Sequence, residues 1–533
     1  MVVLLASVIP FWGMMQDDTY IHLRFARNLL NGYGMSFNPG ELTYGDTSPL
    51  WVALLAALGF LGADLEAAAK TLSLFFGLVS VAIFHLVARG LLGPGVLSFA
   101  ATLAWAVNPT LVRWAASGME STLAAAALLL CALVLTRLDV GRGELLQPLS
   151  IGVSTLIRPE FTGLFLLWLA GKLLFSSTGL RASLVSTLKS CLLYTVPLVP
   201  WWCYAFVSFG TVVPNTALAK GAYSPMLADA LAPLAKVSVF AAGSVPVELA
   251  VLVLGTGWLW RSGGLRKYFD RRLLLLHFAL VAWIVGVPAG YILKNAHVTD
   301  RYMLVIFPLL TLYAFAVLGT VLFQMCKAAP SFARDPQSED CGYGYGRVQV
   351  IRAVWGQLCN AASHDAPRFQ RRAKPILFAI LAVTLAQSLV TSFVVEHPYV
   401  EGRRVHNESL KEIGVWLAEN TPPTTTVAIF DAGIVGYFSD RRVLDVVGLV
   451  NPAIIPFRAA GRESEYLNVA RPDYLVVGGR VADIPKSSSN WSSKATVVLS
   501  KEYEMFGYGL SEASMKLVVK PEALFLSVYR LNW

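Results

Sequence analysis

The sequence predicts a mainly α, polytopic membrane protein that carries an α/β domain at its C-terminal end. Three observations predict it. Of 533 residues, 56% are hydrophobic and only 14% are charged, against about 25% charged in an ordinary soluble domain. The apolar residues gather into runs of near membrane-crossing length. Charge collects in a few loops and in the segment from residue 396 onward. This composition excludes a large soluble enzyme, a disordered chain and a disulfide scaffold.

Eleven apolar stretches read as spans. They lie near 1–14, 71–88, 95–108, 121–136, 145–157, 161–175, 189–208, 237–260, 273–293, 302–325 and 375–395. The opening run lacks a basic start and a small-residue cleavage site. It therefore reads as a retained first helix rather than a signal peptide. With the N-terminus inside, alternate loops carry nineteen Lys and Arg residues, eight of them between Lys327 and Lys374. The other set of loops carries far fewer, so the C-terminal segment is expected outside. The net charge of +9 is then largely a record of orientation, and nucleic acid is not an expected partner.

Cysteine usage agrees. Cys131, Cys191, Cys203 and Cys326 lie in or beside spans, and Cys341 and Cys359 in the long inside loop. The exported segment has none, so no disulfide framework is available to it. Cys341, Cys359 and His364 lack metal-ligand pair spacing. The loop 326–374 is rich in Gly, Ser, Pro, Arg and Gln and reads as linker, with a surface helix expected near 348–361.

The expected domains are 1–395, a transmembrane unit, and 396–533, an extracytoplasmic α/β unit. In the latter, Thr426–Phe430, Arg442–Val446 and Tyr474–Val477 read as strands, and 409–418 reads as helix. Asp431-Ala-Gly-Ile-Val-Gly436 turns into a short helix. It lacks the GxGxxG spacing of a dinucleotide fingerprint.

The most informative stretch follows the first apolar helix: Gln16-Asp-Asp-Thr-Tyr-Ile-His-Leu-Arg-Phe-Ala-Arg-Asn. Two adjacent carboxylates resist simultaneous ionisation, so each needs a partner, a cation or a raised pKa. One carboxylate can act as a general base toward an acceptor hydroxyl. The other can bind a divalent cation or orient a neighbour. Local physics leaves open which does which. The plainer alternative is that Asp18 caps a helix 19–31 while Asp17 is solvated.

Further polar residues gather on the same expected face. They are Tyr44, Asp46, Thr47 and Ser48; Arg113, Ser117, Glu120 and Ser121; Arg158 and Glu160; Asn215 and Lys220; and Lys294, Asn295, His297, Asp300 and Arg301. Taken singly, Glu120 and Arg158 also fit a helix-end salt bridge, and His297 an interfacial histidine. Together they mark a site, because ionisable groups at a membrane boundary are costly to hold.

These residues resemble a known family. Asp17-Asp-Thr-Tyr-Ile, Arg24-Phe-Ala-Arg-Asn, Asn31-Gly-Tyr-Gly and Thr47-Ser-Pro-Leu-Trp resemble the first outer loop of GT-C-fold glycosyltransferases. So do Ala116-Ser-Gly-Met-Glu-Ser-Thr122, Ile157-Arg-Pro-Glu160 and Asp300-Arg-Tyr302. The C-terminal Phe430-Asp-Ala-Gly-Ile-Val-Gly-Tyr437, Asp445-Val-Val-Gly-Leu449 and Arg471-Pro-Asp-Tyr474 agree. The nearest subgroup is the terminal arabinofuranosyltransferases.

The resemblance implies an inverting transferase in the bacterial inner membrane. Its donor is a polyprenyl-phosphate sugar, D-arabinofuranose in that subgroup. Its acceptor is a cell-envelope glycan or glycoconjugate on the periplasmic side. It implies Asp17 as the base and Asp18 as the second acid, with a divalent metal ion at Asp18 left open. Arg158, Lys220, His297 and Arg301 become donor-phosphate candidates. Arg27, Tyr44, Thr47, Glu120, Glu160 and Asn215 become supporting residues. No other cofactor is expected.

The competing reading is a transporter or flippase of a lipid-linked sugar. It predicts internal repeats, broken helices at the midplane and ionisable residues in mid-span. In this sequence the ionisable residues sit mostly at helix ends.

Overall fold

A computed structural model describes residues 1–137, 140–174, 179–221, 227–262, 271–293, 298–327, 366–480, 495–510 and 517–532. The surface helix expected at 348–361 lies outside them, as do Lys294, Asn295 and His297. Of Lys220 only the backbone is described, in a short helix Asn215–Gly221.

Every expected apolar stretch falls on helix, but the helices vary in length. Among the described residues three are long and apolar enough to cross a membrane alone: Leu65–Leu92, Phe307–Met325 and Ala373–Asn420. Two bent pairs add a further span each if counted whole. Arg181–Thr195 and Val199–Phe209 meet at 57°, and Ala232–Ser244 and Pro246–Arg261 at 96°. Pro197 and Pro200 stand at the first break and Pro246 at the second, where each removes a backbone donor. The other apolar helices, such as Ser121–Leu135 and Phe161–Leu174, are shorter.

Three expectations need revision. Pro49–Phe60 is an apolar helix that no expected span covers. The stretch expected at 302–325 starts at Phe307, because Asp300–Val305 winds as a 3-10 turn. The boundary expected at 395/396 falls inside continuous helix. Thr391–Glu396 is a π-helical turn that leads directly into His397–Asn420. The bundle therefore passes into the sheet-containing C-terminal region, the expected second domain, through a helix.

That domain is built on a five-stranded mixed sheet. The first two strands of the chain, β1 (Ser36–Asn38) and β2 (Glu41–Leu42), form a small separate ribbon. The sheet itself contains β3 (Thr426–Ile429), β4 (Arg442–Asp445), β5 (Tyr474–Arg480), β6 (Ala495–Leu510) and β7 (Leu517–Leu531). Its order is β4-β3-β5-β7-β6. β3 pairs in parallel with β4 and β5, while β7 runs antiparallel to both β5 and β6. The three expected strands are the parallel ones. Their buried residues, such as Val427, Ile429, Val443 and Val476, form short apolar runs. The long β6–β7 hairpin was not expected, since Lys, Glu, Gly and Pro interrupt its alternation.

Candidate active site

The site is organised by one helix, Asp17–Leu30, which follows the first apolar helix. It begins at Asp17 with Gln16 as its N-cap residue. Asp18 is therefore not the cap, and Asp17 is buried rather than solvated. Successive residues of an α-helix point about 100° apart. The two neighbouring carboxylates accordingly serve different surroundings. Asp18 and His22, four residues on, share the face toward the bundle. Asp17, Arg24 and Asn28 share the face toward the C-terminal domain and the β1–β2 ribbon.

On the bundle face, the Asp18 carboxylate is 2.7 Å from Arg301 Nη2, and its side chain is 40% exposed. Arg301 is held from behind. Its neighbour Asp300 accepts from Trp114 Nε1 at 2.9 Å and pairs with Arg113 at 3.2 Å. Arg113 also reaches Glu396, at the π-turn, at 2.6 Å. Beside Arg301 lies a second buried cation. Arg158 donates from Nε and Nη2 to Glu120 Oε1, at 3.1 and 2.9 Å. The Tyr302 ring sits between the two guanidiniums, 4.9 Å from Arg158 and 5.3 Å from Arg301. Such cation–π contacts let two like charges approach.

Glu120 has a second partner. His22 Nε2 lies 3.3 Å from its Oε2, and His22 Nδ1 lies 2.5 Å from Asp46 Oδ2. Burial works against a charged imidazole, but Asp46 and Glu120 outweigh it and push His22 up to about 10. Burial likewise works against the Glu120 carboxylate. Arg158 and His22 overcome it and hold that group well below the usual range. Arg158 Nη1, Arg301 Nε, Ser121 Oγ and Thr299 Oγ1 are buried polar atoms with no hydrogen-bond partner among the described residues. Orphaned buried donors are expensive. Two of them, Arg158 Nη1 and Arg301 Nε, are guanidinium donors that suit a bound anion, which guanidiniums bind with forked geometry.

The opposite face is an interdomain joint. Asp17 Oδ2 accepts from Gly433 N at 3.0 Å, and Oδ1 from Ile434 N at 2.7 Å. Both amides belong to the first turn of the helix Ala432–Ser439. Arg24 is fully buried and donates to Phe37 O, Asn38 Oδ1, Gly436 O and Arg441 O. Asn38 pairs with the edge of β4 by a donated and an accepted bond to Val443, each 2.9 Å. Burial, then the charge of Asp431, pushes the Asp17 carboxyl up to about 8, against the pull of the two amides.

The remaining predicted residues divide. Arg27 belongs to the joint, bonding Tyr437 O at 3.1 Å and Asp440 at 3.0 Å. Glu160 accepts from Tyr291 Oη at 3.4 Å, beside Arg158. Tyr44 and Asn215 meet each other. Asn215 N donates to Tyr44 O at 2.9 Å, and Tyr44 Oη accepts from Trp201 Nε1 at 2.8 Å. Thr47 lies half-buried between Asp46 and Ser48 on the same loop. Lys220 and His297 fall outside the described side chains. Sequence reasoning passes over His22, Arg24 and Gly433. The signal for His22 was its spacing of four from Asp18. Arg24 lies in a quoted motif, but nothing local marks its role, since two of its four partners are backbone carbonyls over 400 residues away.

The metal expectation does not fit this donor set. A guanidinium already occupies the Asp18 carboxylate, and a cation there would face Arg301 at close range. No group of three His, Cys, Asp or Glu is placed to hold a metal among the described residues.

Comparison with solved structures places the fold. The chain superimposes on ArnT from Cupriavidus metallidurans in the apo state with a TM-score of 0.54 and 14% identity. The match covers 99% of this chain and 96% of that one. The same protein bound to undecaprenyl phosphate gives 0.53 and 13%, covering 98% and 96%. The chain thus shares the overall fold of ArnT, the GT-C fold that the sequence resemblance implies. In sequence, the chain is similar to the terminal β-(1→2)-arabinofuranosyltransferase of Mycobacterium tuberculosis. The two are 29% identical over 307 residues, or 54% of this chain and 48% of the relative. The match thus spans about half the length of that curated relative. A family described as a domain of unknown function (DUF8728) matches residues 399–516.

Proposed function

We propose that this protein is an inverting glycosyltransferase of the GT-C type. It moves a sugar from a polyprenyl-phosphate donor to a glycan or glycoconjugate acceptor at the membrane face bearing the C-terminal domain. That face is the periplasmic one by the Lys and Arg distribution. The observation that carries the reading is the pair Arg158 and Arg301, each with an unpartnered buried donor, and Arg301 paired with the half-exposed Asp18 carboxylate. The relative's arabinofuranosyl activity and the undecaprenyl phosphate bound by ArnT support the same donor class, with D-arabinofuranose as the sugar.

The chemistry follows from the residues. A carboxylate of the Asp17–Asp18 pair takes the proton of an acceptor hydroxyl. The hydroxyl oxygen then forms a bond to the anomeric carbon from the face opposite the phosphate. The carbon–oxygen bond to the phosphate breaks, and polyprenyl phosphate leaves with the electron pair. Arg158 and Arg301 stabilise the charge that develops on it. Glu120, clamped by Arg158 and His22, sets the position of Arg158 rather than reacting.

A lipid-linked-sugar transporter is the second reading. Two broken helix pairs favour it, as does Glu248, a buried carboxylate beside the sharper break. One assay separates them. Purified protein in lipid nanodiscs receives radiolabelled polyprenyl-phosphate arabinofuranose and an arabinan oligosaccharide. Transfer of label into a new glycosidic bond supports the transferase. Movement of label across a liposome bilayer without a new bond would overturn it.

A further inference from the structure

The helix Ala432–Ser439 is capped by a residue from the other end of the chain. Its own N-cap residue, Asp431, makes no side-chain cap bond. Asp431 instead lies 3.1 Å from His406 Nε2. The amides at the second and third helical positions, Gly433 and Ile434, donate to Asp17. Those are the donors that an N-cap side chain ordinarily satisfies.

The approach is close enough to require glycine. A Cβ at Gly433 would collide with the Asp17 backbone carbonyl, and one at Gly436 would meet Arg24 Nη1 and Phe37. Tyr20 packs against Tyr437 and Phe438, with ring centroids 5.4 and 5.5 Å apart. Asn407, on the helix His397–Asn420, donates to Met15 O at 2.5 Å. Met15, just before the Asp17 helix, and the helix positions Asp17, Tyr20 and Arg24 are thus gripped by the C-terminal domain. Asp17 has both oxygens engaged and is 7% exposed, so an acceptor hydroxyl has no approach to it. Asp18 stands one residue on, turned to the open side of the helix.

Resting on the transferase reading, we infer that Asp17 is a positioning residue through which the C-terminal domain fixes the Asp17 helix. Asp18 is then the carboxylate that accepts the proton of the incoming hydroxyl. The domain thereby becomes part of the active site's construction, in addition to any role in acceptor choice.

The test compares full-length Asp17→Asn, Asp17→Ala, Asp18→Asn and Gly433→Ala in nanodiscs, with donor KM, kcat and backbone amide exchange measured for each. Asp18→Asn should lower kcat about 100- to 10,000-fold, the range for a lost general base. Asp17→Asn keeps an amide acceptor and should fall only about tenfold, with Asp17→Ala and Gly433→Ala lower still. Rescue of Ala by Asn marks a positioning role, since Asn cannot act as the base. A kcat for Asp17→Asn as low as that of Asp18→Asn would overturn the inference. Exchange gives a readout apart from turnover. Asp17→Ala should speed exchange of the Gly433 and Ile434 amides about tenfold, and unchanged exchange would overturn the positioning role. If the wild-type protein transfers no sugar, the function reading falls together with the base role of Asp18. The exchange result then still decides the hold on the domain.

Discussion

Arg301 Nη2 lies 2.7 Å from Asp18 Oδ2, and Asp300, the residue before it, is tied to Trp114 and Arg113. Consecutive residues on one short turn thus have different charged partners. One anchors the turn to the bundle, and the other meets the carboxylate. In the donor complex Arg301 would share its guanidinium between Asp18 and the phosphate.

Removing that guanidinium separates binding from chemistry. Arg301→Ala should raise the donor KM by about 10- to 100-fold, as expected for a lost charge-assisted contact. Arg301→Lys should recover part of the loss, because the charge returns without the fork. Steady-state kinetics with a polyprenyl-phosphate sugar check both, and an unchanged donor KM in Arg301→Ala would remove Arg301 from the phosphate site.

The Glu120–Arg158–His22 cluster makes a stability prediction. Glu120→Gln leaves a buried guanidinium and a charged imidazole short of their shared anion. The expected cost is about 3–5 kcal/mol, seen as a lower unfolding temperature in detergent. Wild-type-like stability would show that the cluster is not closed as described.

The same cluster has a pH signature. His22 is raised from 6.5 to about 10, so its contribution is full below pH 6.5 and lost as pH rises through 10. Asp17 is raised from 3.8 to about 8, so burying it favours the neutral form. Its contribution is full below pH 3.8 and lost as pH rises through 8. Glu120 is depressed below 4.5, so its contribution is present above pH 4.5 and lost as pH falls through its lower folded value. Thermal stability should therefore decline from about pH 4.5 to 10, through Asp17 up to about 8 and through His22 between 6.5 and 10. His22→Gln should flatten the upper part of that decline and Asp17→Asn the part below 8. An identical pH curve in both variants would count against these assignments.

Two arginines at the domain joint should behave very differently. Arg24 is fully buried with four oxygen partners, whereas Arg442 forms a pair with Glu41 in which both side chains are 46% exposed. Arg24→Ala should cost about 3–5 kcal/mol through stranded buried carbonyls and a cavity. Arg442→Ala should cost at most about 1 kcal/mol. Limited proteolysis of the segment 432–445 in membranes checks the contrast. Equal protection in the two variants would show that Arg24 does not hold the joint.

Periodicity and composition were enough for the membrane class, the helical character of all eleven apolar stretches and the three parallel strands. These follow from local burial patterns, which the chain carries residue by residue. Asp17, Asp18, Glu120, Arg158 and Arg301 were also legible, because charge beside an apolar run is conspicuous. The single aligned motif pointed to Asp17 as the base. Helical geometry alone turns Asp17 toward Gly433 and Asp18 toward Arg301, and adjacent sequence positions give no hint of which amides wait on each side. The same holds for Arg24, for the break at Pro246 and for the helix that runs unbroken through residue 396. Sequence thus determined which elements and which charged residues this protein has. Tertiary structure decided which carboxylate is buried and which stays exposed, because that depends on contacts between residues 17 and 433, which only the folded chain brings together.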